Sequence, residues 1–144
     1  MDFKEIRTGI IGVGSMGKNH ARIYNEISNL VGVFDPNKAS SKTVSSKYGI
    51  ESFTSLSDML DSVDAVTIAV PTKYHKKIAL EVIESGTHLL IEKPLADSLI
   101  SAEKILHKAD SKNIILSVGH IERYNPVVEY TKKEIIKENW GKII

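Results

Sequence analysis

Short, dense apolar runs alternate along this chain with longer stretches whose apolar positions recur every three or four residues. The runs are Thr8 to Val13, Leu30 to Asp35 (with its acid at the end), Ala65 to Val70, His88 to Ile91 and Ile114 to Val118. They carry too few polar residues to have one face in water. Strands buried on both faces of a parallel sheet read this way. Glu51 to Phe53 adds a short strand.

The stretches between the runs predict helices. The first carries Ala21, Ile23, Tyr24 and Ile27 at helical spacing. Lys38 to Tyr48 is a second, closed by Gly49 at a C′ position. Ser55, with Asp58 three residues on, opens a third as a variant of the capping box. A fourth follows Pro71-Thr72 and stops near Ser85 at Gly86. Asp97 is expected to cap a fifth that runs through Ala109. Asn125 caps a sixth whose first residue is Pro126. Strand and helix in alternation predict an α/β fold, a doubly wound parallel sheet in the order 3-2-1-4-5-6.

The join between the first strand and the first helix is Gly12-Val13-Gly14-Ser15-Met16-Gly17. A G-x-G-x-x-G in that position, with an acid closing the second strand, is a dinucleotide-binding pattern. Gly12 permits the turn, Gly14 admits a pyrophosphate, and Gly17 lets helix and strand pack closely. Ser15 and Met16 begin the helix whose N–H groups would face the phosphates. Asp35, 18 residues beyond Gly17, can accept from the adenosine ribose hydroxyls and would repel a 2′-phosphate. NAD is therefore expected over NADP, although Lys38, Ser40 and Lys42 lie nearby.

Open parallel sheets bind ligands beyond the carboxyl ends of their strands. The other residues expected there are Pro71, Thr72 and His75, then Glu92, Lys93 and Pro94, then Gly119, His120, Glu122, Arg123 and Tyr124. Lys93 is the candidate catalytic group. Pro94 restrains it, and its amine can hydrogen-bond a hydroxyl or take its proton where nearby positive charge favours the neutral form. A surface ion pair is the plainer alternative. Glu92 would oppose such activation if close, so the two are expected to point apart. His75 either faces the nicotinamide or is a packing or capping residue at the start of its helix. His20 is read as structural, His88 as lying at the opposite edge and His107 as exposed. The histidines show no metal-ligand spacing, so no metal is expected.

Composition narrows the classes. The 144 residues suffice for one domain with a real core. Nineteen basic side chains balance 18 acidic ones with no basic stripe, so nucleic acid is not an expected partner. No cysteine is present, which excludes disulfides and thiol catalysis. No apolar run approaches ~18–20 residues and no leader pattern opens the chain, so a soluble cytoplasmic domain without a membrane partner is expected.

Gly12 to Gly17, the Pro71 to His75 segment, Glu92-Lys93-Pro94 and Arg123-Tyr124-Asn125-Pro126 together resemble the Gfo/Idh/MocA oxidoreductases. The resemblance covers nearly the whole chain. It implies a Rossmann domain that binds NAD or NADP, followed by a C-terminal α/β domain that completes a sugar site. It also implies that Lys93 contacts the reacting hydroxyl, helped by residues of the second domain. Gly119 to Pro126 is similar to the stretch found in members that oxidise the 3-hydroxyl of UDP-N-acetylglucosamine. The expected substrate is thus a sugar or nucleotide sugar, with Lys93, His120, Arg123 and Tyr124 on its side of the site.

Residues 1–139 are expected to form the dinucleotide-binding domain, and 140–144 to begin the connection to an absent second domain. The chain then reads as a fragment that is folded but inactive. An exposed end around Trp140, Ile143 and Ile144 is expected to favour a homo-oligomer. Three alternatives remain at this point. One is a non-catalytic dinucleotide-sensing or scaffolding domain. Another is a member of the same family acting on a free sugar or inositol. The third is a methyltransferase using S-adenosylmethionine, which the close-packed glycine loop disfavours.

Overall fold

The computed structural model describes residues 3–137. Six strands form one sheet: β1 (Arg7–Ile11), β2 (Asn29–Phe34), β3 (Glu51–Phe53), β4 (Ala65–Ile68), β5 (His88–Ile91) and β6 (Leu116–Val118). The helices are α1 (Ser15–Ile27), α2 (Lys38–Tyr48), α3 (Leu56–Leu60), α4 (His75–Glu84), α5 (Leu99–Ser111) and α6 (Pro126–Ile136). All neighbouring strands run parallel, in the order β3-β2-β1-β4-β5-β6. The order reverses direction between β1 and β4, which makes their carboxyl ends the switch point where such sheets bind ligands.

Alternation along the strands builds two apolar layers. Ile10, Val33 and Leu30 face α1 and α2, where they meet Ala21 and Val44. Ile11, Val66, Ile68, Leu89 and Ile91 face α3, α4 and α5, against Met59, Val82, Ile83 and Ile105. One irregularity reconciles Leu30 with Val33, which simple alternation would put on opposite faces. Thr8 pairs with Leu30 and Gly9 with Gly32, so Val31 is an extra residue that shifts the register.

The predicted elements are all present, with β1, β4 and β6 shorter and β2 shifted by one residue. β4 ends at Ile68 rather than Val70, and β1 at Ile11 rather than Val13. In both places the chain leaves the ladder to form the rim of a cleft. β6 begins at Leu116 rather than Ile114. A correction applies to α5: its N-cap is Ser98, whose hydroxyl accepts from the Ser101 N–H, and not Asp97. Gly49 adopts the left-handed conformation at the end of α2, and Asn125 caps α6 as predicted. The sequence readings around Trp140, Ile143 and Ile144, and the boundary at 139, lie outside the described residues.

Candidate active site at the carboxyl edge of the sheet

Three glycines shape the loop after β1. Gly12 has φ +88°, and a Cβ there would sit 2.7 Å from the Ala69 carbonyl oxygen. Its N–H donates to the Phe34 carbonyl at 2.8 Å, which holds the loop against the end of β2. A Cβ on Gly17 would fall on the Gly12 carbonyl, so α1 could not approach the loop so closely. Gly14 is different: nothing lies within 4 Å of a Cβ placed on it. Its open face is the approach a phosphate group needs. α1 starts immediately after, with no side-chain cap and no acid in its first turn. Its leading N–H groups and positive dipole end are therefore left for an anion.

Asp35 closes the other side of the loop. One carboxylate oxygen accepts from the Val13 N–H at 2.8 Å, the other from the Asn37 N–H at 2.8 Å. These bonds fix its orientation. A carboxylate has about four acceptor positions, so two remain for hydroxyl donors. Between this residue and the β4 end lies a cleft of about 640 Å³, lined by Gly12, Gly14, Asp35 and Pro71 among others. The volume is of the size that small-molecule and cofactor sites occupy.

The segment after β5 separates its two charges. Glu92 is buried, and its carboxylate pairs with His20 Nε2 at 2.8 Å. Its second oxygen accepts from the Lys93 backbone N–H at 3.2 Å. Lys93 is exposed, and its ammonium has no hydrogen bond or ion pair with any described residue. Lys93 thus makes no surface ion pair among the described residues, and the acid beside it in sequence, Glu92, is engaged by His20 of α1. Glu92 is buried, and its second oxygen holds the backbone of Lys93.

His75 begins α4, as expected, and is 1% exposed, so it takes the packing alternative; it neither faces the cleft nor caps the helix. Its ring lies between two backbone carbonyls, those of Val70 at 2.8 Å and Pro94 at 2.9 Å. Of the other predicted cofactor residues, Ser15 and Met16 are exposed at the start of α1, and Thr72 is half-buried beside Pro71. The predicted substrate residues lie further along the same edge. His120, Arg123 and Tyr124 are exposed and, with His20, line a second hollow of about 380 Å³. Among the described residues no group of three or more potential ligands gathers to hold a metal.

Comparison with known proteins decides the family. The Gfo/Idh/MocA oxidoreductase profile, described as an NAD-binding Rossmann fold, matches residues 6–120. The chain belongs to the Gfo/Idh/MocA family. As its NAD-binding Rossmann domain, the chain is 38% identical over 128 residues to the UDP-N-acetylglucosamine 3-dehydrogenase of Acidithiobacillus ferrooxidans. That alignment covers 89% of this chain and 41% of the relative. The solved structure of that relative matches with a TM-score of 0.86, covering 89% of this chain and 42% of that one. The myo-inositol 2-dehydrogenase of Lactobacillus plantarum matches with a TM-score of 0.87 at 28% identity, covering 96% of this chain and 43% of that one. The chain thus spans less than half the length of these relatives.

In this Gfo/Idh/MocA domain, three features fit NAD: the open face of Gly14, the uncapped start of α1 and the oriented Asp35. Sequence reasoning missed one wall of the cleft. Tyr74, Lys77, Ile78 and Glu81 line it from the start of α4 onward. Their spacing is that of one helix face, so the signal was present. It lacked only the knowledge that this face turns towards the cleft. It also missed His20 as the partner of Glu92, 72 residues away.

Proposed function

We propose that this domain is the cofactor half of a sugar dehydrogenase that oxidises a secondary hydroxyl, with the 3-hydroxyl of UDP-N-acetylglucosamine as substrate. The observation that carries the reading is Lys93. Its amine has no hydrogen-bond or ion-pair partner among the described residues, and it stands on a backbone pinned by Glu92, at the end of the strand next to β4. NAD, when bound, supplies the acceptor for hydride. The chain supplies position and proton chemistry. The α1 start and Gly14 receive the pyrophosphate, and Asp35 orients the adenosine ribose. Lys93 holds the reacting hydroxyl and, as a neutral amine, takes its proton as the carbon–hydrogen bond breaks. His120, Arg123 and Tyr124 offer donors to the remainder of the sugar.

The nucleotide sugar is favoured over a cyclitol by the 38% identity to the A. ferrooxidans enzyme and by the Gly119 to Pro126 segment. Asp35 supports NAD over NADP. The test is direct. A polypeptide carrying this domain together with a catalytic second domain is given NAD and either UDP-N-acetylglucosamine or myo-inositol, and NADH formation is followed. Turnover of the nucleotide sugar alone is expected. Turnover of inositol alone would move the substrate to a cyclitol. NADH from neither sugar would sink the proposed activity.

A further inference from the structure

We propose that His20 is a positioning residue that ties α1, the helix whose start faces the cofactor phosphates, to Lys93 through the carboxylate of Glu92. The kinetic part of this inference rests on the dehydrogenase reading above. Lys93 is the first residue past the sheet ladder on its strand. The last rungs are the Glu92 N–H on the Ile68 carbonyl at 3.0 Å and the Gly119 N–H on the Ile91 carbonyl at 2.8 Å. Beyond them the Lys93 N–H donates to a Glu92 carboxylate oxygen at 3.2 Å. That carboxylate is held in turn from across the fold, because its other oxygen meets His20 Nε2 at 2.8 Å. Among the described residues this is the only hydrogen bond between α1 and the segment 88–98.

The bond needs one proton between its two atoms. A neutral ring protonated at Nε2 supplies it as well as an imidazolium does, so the tie does not turn on the charge of His20. Two neighbours make the junction rigid. Gly119 closes on the carboxylate from the end of β6, where a Cβ would lie 3.3 Å from Glu92 Oε2. Tyr24, four residues on from His20, meets its ring edge-on with centroids 6.3 Å apart. The Tyr24 hydroxyl accepts from buried Thr67 of β4 at 2.8 Å. His20 and Tyr24 share one face of α1, and that face is bonded to both β4 and the end of β5. Close packing of the helix is already met by buried Gly17 and Ala21. What a bond at position 20 adds is registration. A phosphate seated at the α1 start moves with α1, while the amine that must meet the reacting hydroxyl moves with β5. The His20–Glu92 bond joins the two elements where their relative placement sets the geometry of the reaction.

The tests use two amides that differ in reach. Gln places its nitrogen as many bonds from Cβ as His places Nε2, and Asn falls one bond short. The first test uses this chain, labelled with ¹⁵N, without cofactor. In His20→Asn the Lys93 N–H should exchange with water about tenfold faster, the worth of about one hydrogen bond. The Ala69 and Leu89 N–H groups, bonded within the sheet, should keep their rates. In His20→Gln the Lys93 rate should return towards the native one. Equal Lys93 exchange in all three proteins would overturn the tie whatever the enzyme does, and so would a loosening of the whole sheet in His20→Asn. The second test is kinetic, in the longer polypeptide. His20→Asn should lower kcat by ~10–10²-fold, the scale of a small misplacement of a reacting group. KM for NAD should change little, since Gly14, the α1 start and Asp35 are untouched. His20→Gln should recover most of the loss. In a Lys93→Met background His20→Asn should cost little more, because it acts through Lys93. A full additional loss there, or equal losses in the Gln and Asn variants, would return His20 to a merely structural role. Should His20→Asn not fold, Glu92→Asp, which draws the carboxylate back from both partners, takes its place in both tests. If no sugar is oxidised at all, the dehydrogenase reading fails, while the exchange rates still decide the tie.

Discussion

The two ends of this sheet use charge in opposite ways. At the amino edge, polar groups satisfy one another. Arg7 grips Asp64 through both Nε and Nη2, at 3.2 and 2.6 Å, and the Arg7 backbone N–H adds a third bond to the same carboxylate. Buried Thr8 and Ser28 share a hydroxyl bond at 2.8 Å, and His88 Nδ1 accepts from the Ile115 N–H. At the carboxyl edge the acids and His75 are tied to backbone or to His20, yet what they support is left open. Lys93, the face of Gly14 and the start of α1 have no partner within the described chain. Paired charge at one edge and supported but unpaired groups at the other distinguish a closed end from a working one.

Substitutions that break this contrast should differ most in turnover. Lys93→Met, in the longer polypeptide, is expected to lower kcat by at least ~10²-fold, the scale of a lost acid–base group. NAD affinity should remain within a few-fold, and Arg7→Met at the other edge should leave kcat alone. Steady-state kinetics with a parallel NAD titration checks both. Near-normal turnover of Lys93→Met would remove the functional half of the comparison.

The glycine loop sharpens the contrast inside the carboxyl edge. Gly17→Ala forces a Cβ onto the Gly12 carbonyl, so it should destabilise the fold by about 1–3 kcal/mol, as overpacking does. It should weaken NAD binding as well. The Cβ of Gly14→Ala meets no protein atom within 4 Å, so the melting temperature should barely move while NAD binding falls at least ~10-fold, the loss of about one good hydrogen bond to a charged group. Calorimetry and a cofactor titration on the same samples separate the two. Equal melting losses for both variants would show that Gly14 is a packing glycine.

Asp35 should produce a smaller, selective effect. Asp35→Ala removes the acceptor for the ribose hydroxyls and the repulsion against a 2′-phosphate, so the NAD to NADP preference should drop by roughly tenfold. It also frees the Val13 and Asn37 N–H groups, which a phosphate can then meet. Fluorescence titration of both cofactors reads the ratio. Tighter NADP binding by the unmutated chain would reverse the assignment.

The sheet order and the glycine loop were legible because both are written in local spacing: runs separated by helical periods, and three glycines between a strand and a helix. Asp35 and Lys93 followed from their places at strand ends. The cap of α5 was misread by one residue, since Asp97 and Ser98 are both good caps and only backbone direction chooses between them. His75 and His20 were harder for a different reason. Their three partners lie 5, 19 and 72 residues away; two are backbone carbonyls and the third is a buried acid. Contacts between a side chain and distant backbone are set by topology, and no local pattern announces them.

The smallest expected effect tests the closed edge. Hydrogen bonds from Arg7 hold the Asp64 carboxyl below the usual aspartate range. A depressed carboxylate pKa means that the unfolded chain takes up the proton first as pH falls. The pair's contribution is therefore fully present above the unfolded value of about 4 and is lost as pH drops through the lower folded value. Both side chains are more than a third exposed, so solvent screens the pair and the effect is slight. Thermal melts of the native chain and Asp64→Asn should differ by a small constant amount from neutral pH to about pH 5, with the difference shrinking below about pH 4. Low salt should widen the gap and high salt close it. A difference that grew on acidification would mean that Asp64 is protonated more readily in the folded chain, and that the amino edge is not the self-satisfied end its geometry describes.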